Sequence, residues 1–357
     1  MTNQKQRNTS IEIMRLVSMI LIVIHHIVGQ GLGFQFYCVG GANCSNIGNW
    51  TPIILIESFC IVGVNLFLLI SGYYGIRLRS KGVIKFLFVV FCFILLHVLA
   101  EPLYDTMVTT RHSLSSLLFF FSENSAWFVK SYFVLMLSTM IINPALEKMN
   151  KRQLLAFLCI LLYVNVYLGF IKHWDINESG YTVSQMIFMY VIGHALNEFK
   201  IAEMLKKQQF LFGYVFLSVV LAIVMILCLG KINGDSEYHL LGYNNPLVIL
   251  SSVSLFCFFS KYKCYNMKIN FLLSGTFGIY LFHQYRPFWS MVLVPAIRRN
   301  YEINSLPSFV LLCVVIILFV VISGSAVKLF LNKILCVIIE RPSVRKTFFW
   351  LDDKLGL

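Results

Sequence analysis

Ten times along this chain the sequence holds an apolar run of about twenty residues, the length that crosses a hydrocarbon core roughly 30 Å thick as a helix. The runs occupy approximately 13–33, 52–73, 83–103, 126–146, 153–171, 182–199, 208–230, 246–264, 269–292 and 308–332. Polar, Gly-, Pro- or Lys-containing residues separate each run from the next. The sequence therefore predicts an all-α polytopic membrane protein of about ten transmembrane helices. The stretch Leu114–Phe121 is apolar but too short to span, and reads as a re-entrant or interfacial piece. Composition agrees: 13% of the 357 residues are charged and 58% are hydrophobic, with mean hydropathy +0.77. Soluble domains carry about 25% charged residues, so this chain has too little polar surface to face water all round.

The net charge of +13 raises nucleic acid as a partner. The basic residues, however, form no single patch or helix stripe. They sit in short clusters between apolar runs, which is the pattern a bilayer imposes, so no nucleic-acid partner is expected. Alternate loops hold 22 of the 29 lysines and arginines, and the intervening side holds 7. That asymmetry places both termini in the cytosol, with the chain multi-pass in the cell membrane. The first run is interrupted by His25 and His26 and lacks a small-residue cleavage site, so it reads as a retained span rather than a signal sequence. The expected organisation is a membrane domain over 1–345 and a short cytosolic tail over 346–357.

Of the ten cysteines, eight lie in or beside apolar runs, where a thiol behaves as a small hydrophobe. With no C-x-x-C pair, the sequence supports no metal site. Cys38 and Cys44 share one loop and bridge if it faces an oxidising compartment; two free thiols is the other reading.

Ionisable groups inside spans are costly, and each is a candidate functional residue. Arg15 opens the first helix and His26 lies eleven positions later. At about 100° and 1.5 Å per residue, eleven steps turn about 20° past three full turns and rise about 16.5 Å. Arg15 and His26 thus share a helix face half a membrane apart, while His25 points about 80° away. His26 is the better candidate for a buried base, with a histidine satisfied by a neighbouring helix as the bland alternative. Glu57, about two turns into the second run, either orients a histidine, contacts ligand hydroxyls or serves as a structural hydrogen-bond partner. Arg77, Arg79 and Lys81 form a basic cluster that suits phosphates and equally suits a plain positive-inside anchor. Trp127 and Tyr132 suit stacking on a ligand ring or an interfacial belt. Ser71, Gly72 and Tyr73 suit close helix packing.

Five segments resemble, in order, the family 3 acyltransferases, membrane enzymes that acylate bacterial surface glycans. They are I-E-I-M-R-L (11–16) followed by H-H (25–26), N-L-F-L-L-I-S-G-Y-Y (65–74), W-F-V-K-S-Y-F-V-L (127–135) running to N-P-A-L (143–146), S-G-T-F-G-I-Y-L-F-H (274–283), and E-R-P (340–342). Arg15 and His26 match the family's arginine, ten intervening residues and histidine. His283 matches a histidine of the penultimate-helix motif, where packing and catalysis are both open. Lys130 departs from the neutral residue expected in its segment.

The resemblance implies an O-acyltransferase, an O-acetyltransferase first, with acetyl-CoA or another acyl-CoA as donor substrate and no permanently bound cofactor. The acceptor is a hydroxyl of a surface or lipid-linked glycan. His26 would be the base and Arg15 would hold the donor or orient the motif. Arg77, Arg79 and Lys81 would hold the nucleotide, and Glu57, Trp127, Tyr132 and His283 would support the acceptor. A multi-span transporter or flippase for glycans or lipids is the alternative, although no internal repeat or discontinuous helix favours it.

Overall fold

The computed structural model describes residues 8–32, 47–100, 103, 127–228, 240–285, 288–303 and 305–356, and every regular element among them is helical. Leu114–Phe121, Cys38 and Cys44 fall outside the described residues. In chain order the main helices are α1 (Thr9–His26), α2 (Ile47–Cys60), α3 (Gly63–Tyr74), α4 (Ser80–Ala100), α5 (Trp127–Lys148), α6 (Lys151–Leu162) and α7 (Val183–Glu198). They continue with α8 (Lys207–Cys228), α9 (Pro246–Ser260), α10 (Met267–Leu273), α11 (Phe277–His283), α12 (Val294–Ile303), α13 (Leu306–Ile339) and α14 (Pro342–Leu355).

Seven helical segments among the described residues are long and apolar enough to cross a membrane: Thr9–Gly31, Thr51–Tyr74, Ser80–Ala100, Trp127–Lys148, Lys151–Ile171, Lys207–Cys228 and Leu306–Ile339. The other three predicted spans differ in detail. α7 and α9 have 16 and 15 residues, about 24 and 22 Å of helix. Thr182 and Asn245 cap their N-termini through side-chain oxygens, and the left-handed Lys200 stops the chain soon after α7. The single span predicted over 269–292 is split: α10 stops at Leu273, α11 at His283, and a π-helical turn runs over Trp289–Leu293. Apolarity sets where a chain prefers lipid, but Ser274–Thr276 interrupts the helix at a close contact, described below.

The chain divides into two compact units, Met1–Gly75 with Ala145–Leu273, and Ile76–Pro144 with Ser274–Leu357. In the first, α3 is surrounded by α1, α7 and α9, and α8 lies against α2 and α9. Its core holds Met14, Met19, Val23, Leu66, Leu69, Met189, Val191, Val248 and Phe256. Helices in lipid gain little hydrophobic drive towards one another, so small residues and buried polar contacts hold them. α3 and α7 cross at Gly72 and Gly193: a Cβ on Gly72 would lie 1.9 Å from the Tyr190 carbonyl oxygen, and one on Gly193 would lie 2.4 Å from that of Leu69. Gly72→Ala must therefore separate two backbones. We expect a cost at the upper end of over-packing, about 3 kcal/mol or more, read as loss of monodisperse protein from detergent extracts.

Amides provide the other hold in this unit. Asn65 of α3 and Gln185 of α7 both donate to the Tyr243 carbonyl, each at 2.8 Å. Asn177 donates to Asn165 at 2.6 Å, and Asn244 donates to the Asn177 carbonyl at 2.8 Å. Asn165 lies in a nine-residue π-helical stretch, Tyr163–Ile171, that continues α6. Asn244 also donates to the Asn165 carbonyl at 3.2 Å, so the amide network is tied to the backbone of this widened stretch.

In the second unit α11 packs on the long α13 by the same device. A Cβ on Gly278 would lie 2.1 Å from the Gly324 carbonyl oxygen, and one on Gly275 would lie 2.7 Å from that of Ser325. α13 is 34 residues long, about 51 Å of helix, and exposes Leu311, Ile322 and Phe330, as a lipid-facing helix does. Within the segment read as a short tail over 346–357, residues 346–355 lie in α14. Phe348 of α14 is buried against Leu335 and Ile339 of α13, with Phe88 of α4 packed on the same cluster.

Candidate functional site

α1 carries the densest set of buried polar groups in the first unit. Asn8 caps it by accepting from the Ser10 amide, and the next contacts run to the segment before α10: Thr9 donates from its amide to the Cys264 carbonyl at 2.8 Å. One turn in, the buried Glu12 pairs with Arg15 Nη1 at 2.6 Å, and the Arg15 side chain keeps 31% of its surface exposed. Ser18 donates to the Gly63 carbonyl at the α1–α3 crossing, where a Cβ on Gly63 would lie 2.9 Å from the Ser18 carbonyl oxygen.

The far end of α1 holds a pair of adjacent histidines. His25 and His26 are both buried, and their rings lie 5.2 Å apart at 46°. Glu57 of α2 is fully buried and its Oε1 is hydrogen-bonded to His25 Nδ1, while Oε2 has no hydrogen-bond partner among the described residues. A carboxylate without water around it demands compensation, and the imidazole of His25 provides it. Immediately after His26 the helix widens into a π-helical turn over Ile27–Gly31, closed by the Leu32 amide on the Ile27 carbonyl at 3.0 Å. Widened turns of this type concentrate at functional sites.

The remaining candidates lie in the second unit. Trp127 meets Phe128 edge-on, and Phe128 stacks on Tyr132 at 5.6 Å and packs against Tyr280 at 5.2 Å. Tyr132 is thus one member of an aromatic cluster that also holds Phe86. His283 is buried, with Nδ1 bonded to the Ile279 carbonyl at 2.7 Å, and its ring meets Trp289 edge-on at 5.9 Å. Arg77, Arg79 and Lys81 are exposed; Lys81 pairs with Glu340 at 3.1 Å. Arg79 and Lys81 line a cavity of about 260 Å³, and Arg77 is not among its lining residues.

Arg15, His26 and Glu57 therefore belong to one unit, and Arg77, Arg79, Lys81, Trp127, Tyr132 and His283 to the other. Three participants escaped the sequence reading. Glu12 partners Arg15, and the three-residue spacing between opposite charges was the available signal. His25 is the histidine that Glu57 holds, a pairing that needs the α1–α2 contact. His97 of α4 is buried, stacks flat on Tyr285 at 4.5 Å, and leaves Nε2 without a hydrogen-bond partner among the described residues; a histidine within an apolar run was its signal.

The span that holds both α1 and α11 is also the span of one known domain. A family model for the acyltransferase domain matches residues 8–325. The chain belongs to acyltransferase family 3. No curated protein and no solved structure matches the chain. The match opens on Asn8, the cap of α1, and closes within α13, so it takes in Arg15, His26, Glu57 and His283. α14 lies beyond it. With seven membrane-length helices, this family 3 acyltransferase is a multi-pass membrane protein.

Proposed function

We propose that this family 3 acyltransferase moves an acyl group, an acetyl group first, from acyl-CoA to a hydroxyl of a surface or lipid-linked glycan in a bacterial plasma membrane. The observation that carries this reading is the pair of buried histidines at the end of α1, one of them held by a buried carboxylate, where the helix widens. A hydroxyl attacks a thioester only if a positioned base takes its proton, and histidine is the commonest choice. In this mechanism His26 removes the acceptor proton, the oxygen attacks the thioester carbonyl, and the carbon–sulfur bond breaks. The departing thiolate takes the proton back from His26, so the base is regenerated. Glu57 holds His25, and His25 packs beside the His26 ring.

Arg15, fixed by Glu12 at the other end of α1, supplies positive charge towards the donor. The basic-residue asymmetry supports ten spans with both termini cytosolic, with α7, α9 and the broken α10–α11 segment completing the seven membrane-length helices. Glycan acyl esters in a deletion strain test the reading. Their disappearance, with return on complementation, supports transfer. Unchanged esters with lipid-linked glycan accumulating on one leaflet would establish a transporter instead.

A further inference from the structure

We propose that His97 of α4 binds the acceptor, its Nε2 taking a hydrogen bond from a sugar hydroxyl at the break that follows α11. The inference rests on the acyl-transfer reading above and adds to it a residue in the last turn of α4, about 25 Å along the axis from Ser80.

The starting point is an imidazole that packing alone does not explain. His97 keeps 7% of its surface exposed, and its Nε2 has no hydrogen-bond partner among the described residues. Burying a polar atom unbonded costs free energy, and an apolar ring would fill the same space without that cost. The other buried histidine of this unit, His283, is tied to its own helix through Nδ1 and the Ile279 carbonyl at 2.7 Å. The carbonyls of Leu281 and Phe282 lie beside the His97 ring. An N–H turned towards them leaves the other nitrogen with a lone pair, and a lone pair calls for a hydroxyl or amide donor.

The surroundings suit a sugar ring. Tyr285 lies flat on His97 at 4.5 Å and 8°, and Phe282 and Phe288 stand at 5.7 and 5.9 Å. Aromatic walls with one placed polar atom are the usual composition of a ligand site. These rings come from a broken stretch of chain. α11 stops at His283, Gln284 and Tyr285 lie outside any helix, and a π-helical turn opens at Trp289. Irregular backbone at membrane depth persists only where protein or a polar cavity receives it, and widened turns concentrate at functional sites. Position selects the ligand. The basic segment Arg77–Lys81 precedes the first turn of α4, so His97 stands at the opposite membrane face. With cytosolic termini that face is the outer one, where a surface or lipid-linked glycan is presented.

The full chain in detergent is given saturating labelled acetyl-CoA, and the glycan fraction of the deletion strain, which carries unacylated acceptor, is titrated. His97→Phe keeps the stack on Tyr285 and removes the nitrogen; His97→Gln keeps a hydrogen-bonding group and removes the ring. The acceptor KM is expected to rise about tenfold in His97→Phe, the effect of one lost hydrogen bond in a dry site, with kcat and the acetyl-CoA KM unchanged. His97→Gln is expected to fall between wild type and His97→Phe. Thermal unfolding of His97→Phe should match or exceed that of wild type, because the unbonded nitrogen is gone. An unchanged acceptor KM in His97→Phe would make the ring a packing element and overturn the inference. So would the reverse order, with His97→Gln the weaker of the two. In both cases transfer by wild type leaves the acyl-transfer reading standing. Absence of transfer by wild type would overturn that reading, and the acceptor role of His97 with it.

Discussion

Cells that produce His26→Ala at wild-type abundance are expected to lose glycan acyl esters by a factor of about 10²–10⁴, the contribution of one positioned general base. The substitution removes an imidazole at the last position of α1, just before the π-helical turn at Ile27–Gly31. Ring loss at a helix terminus beside that turn leaves the Glu57–His25 pair in place, so the membrane abundance of the variant should hold. Ester content per unit of membrane protein is the quantity to compare, alongside His26→Gln, which keeps a polar side chain without a base. Full ester content in His26→Ala would remove His26 from the chemistry and return attention to the buried histidines of the second unit, His97 and His283.

His25→Ala is expected to fail by a different route. It leaves Glu57 fully buried with neither carboxylate oxygen bonded among the described residues. Breaking a buried pair by deleting one partner costs about 3–5 kcal/mol, a large fraction of the roughly 5–15 kcal/mol that holds an ordinary fold together. Protein abundance and thermal unfolding in detergent should drop accordingly, while transfer per folded molecule falls less than in His26→Ala. Glu57→Gln in the same chain should restore much of the abundance, because a neutral amide is far cheaper to bury than an unpaired carboxylate. Equal thermal stability of wild type and His25→Ala would show that the carboxylate is compensated by some other group.

These two residues also show how far helical phase reaches. Eleven steps from Arg15 to His26 define a shared face of α1 from the sequence alone, because rotation per residue is a property of the backbone. Phase cannot say what lies opposite each face. Glu57 was legible as a costly carboxylate in a span, with three open roles; that it holds His25 depends on α2 lying against α1. Arg15 illustrates the same point on one helix, since Glu12 fixes its guanidinium before any ligand does. Gly72, Gly275 and Gly278 stood in recognisable motifs, yet their partners Tyr190, Ser325 and Gly324 lie about 45–120 positions away in the sequence and no local pattern marks them.

What the amino-acid sequence by itself determined is the solvent and the secondary structure. Long apolar runs with few charges must bury their amides in helices inside lipid, and the ordered motifs pointed to the acyltransferase family. The tertiary structure decided where those helices stop and which polar groups meet. One predicted span is cut at Ser274–Thr276 because Gly275 must approach Ser325 at backbone distance. The supposed tail became a docked helix because Phe348 found Leu335 and Ile339, and Asp352 found Ser80. Apolarity is a local, additive property that any window of residues reports. Close approach and charge pairing depend on chain segments that only folding brings together.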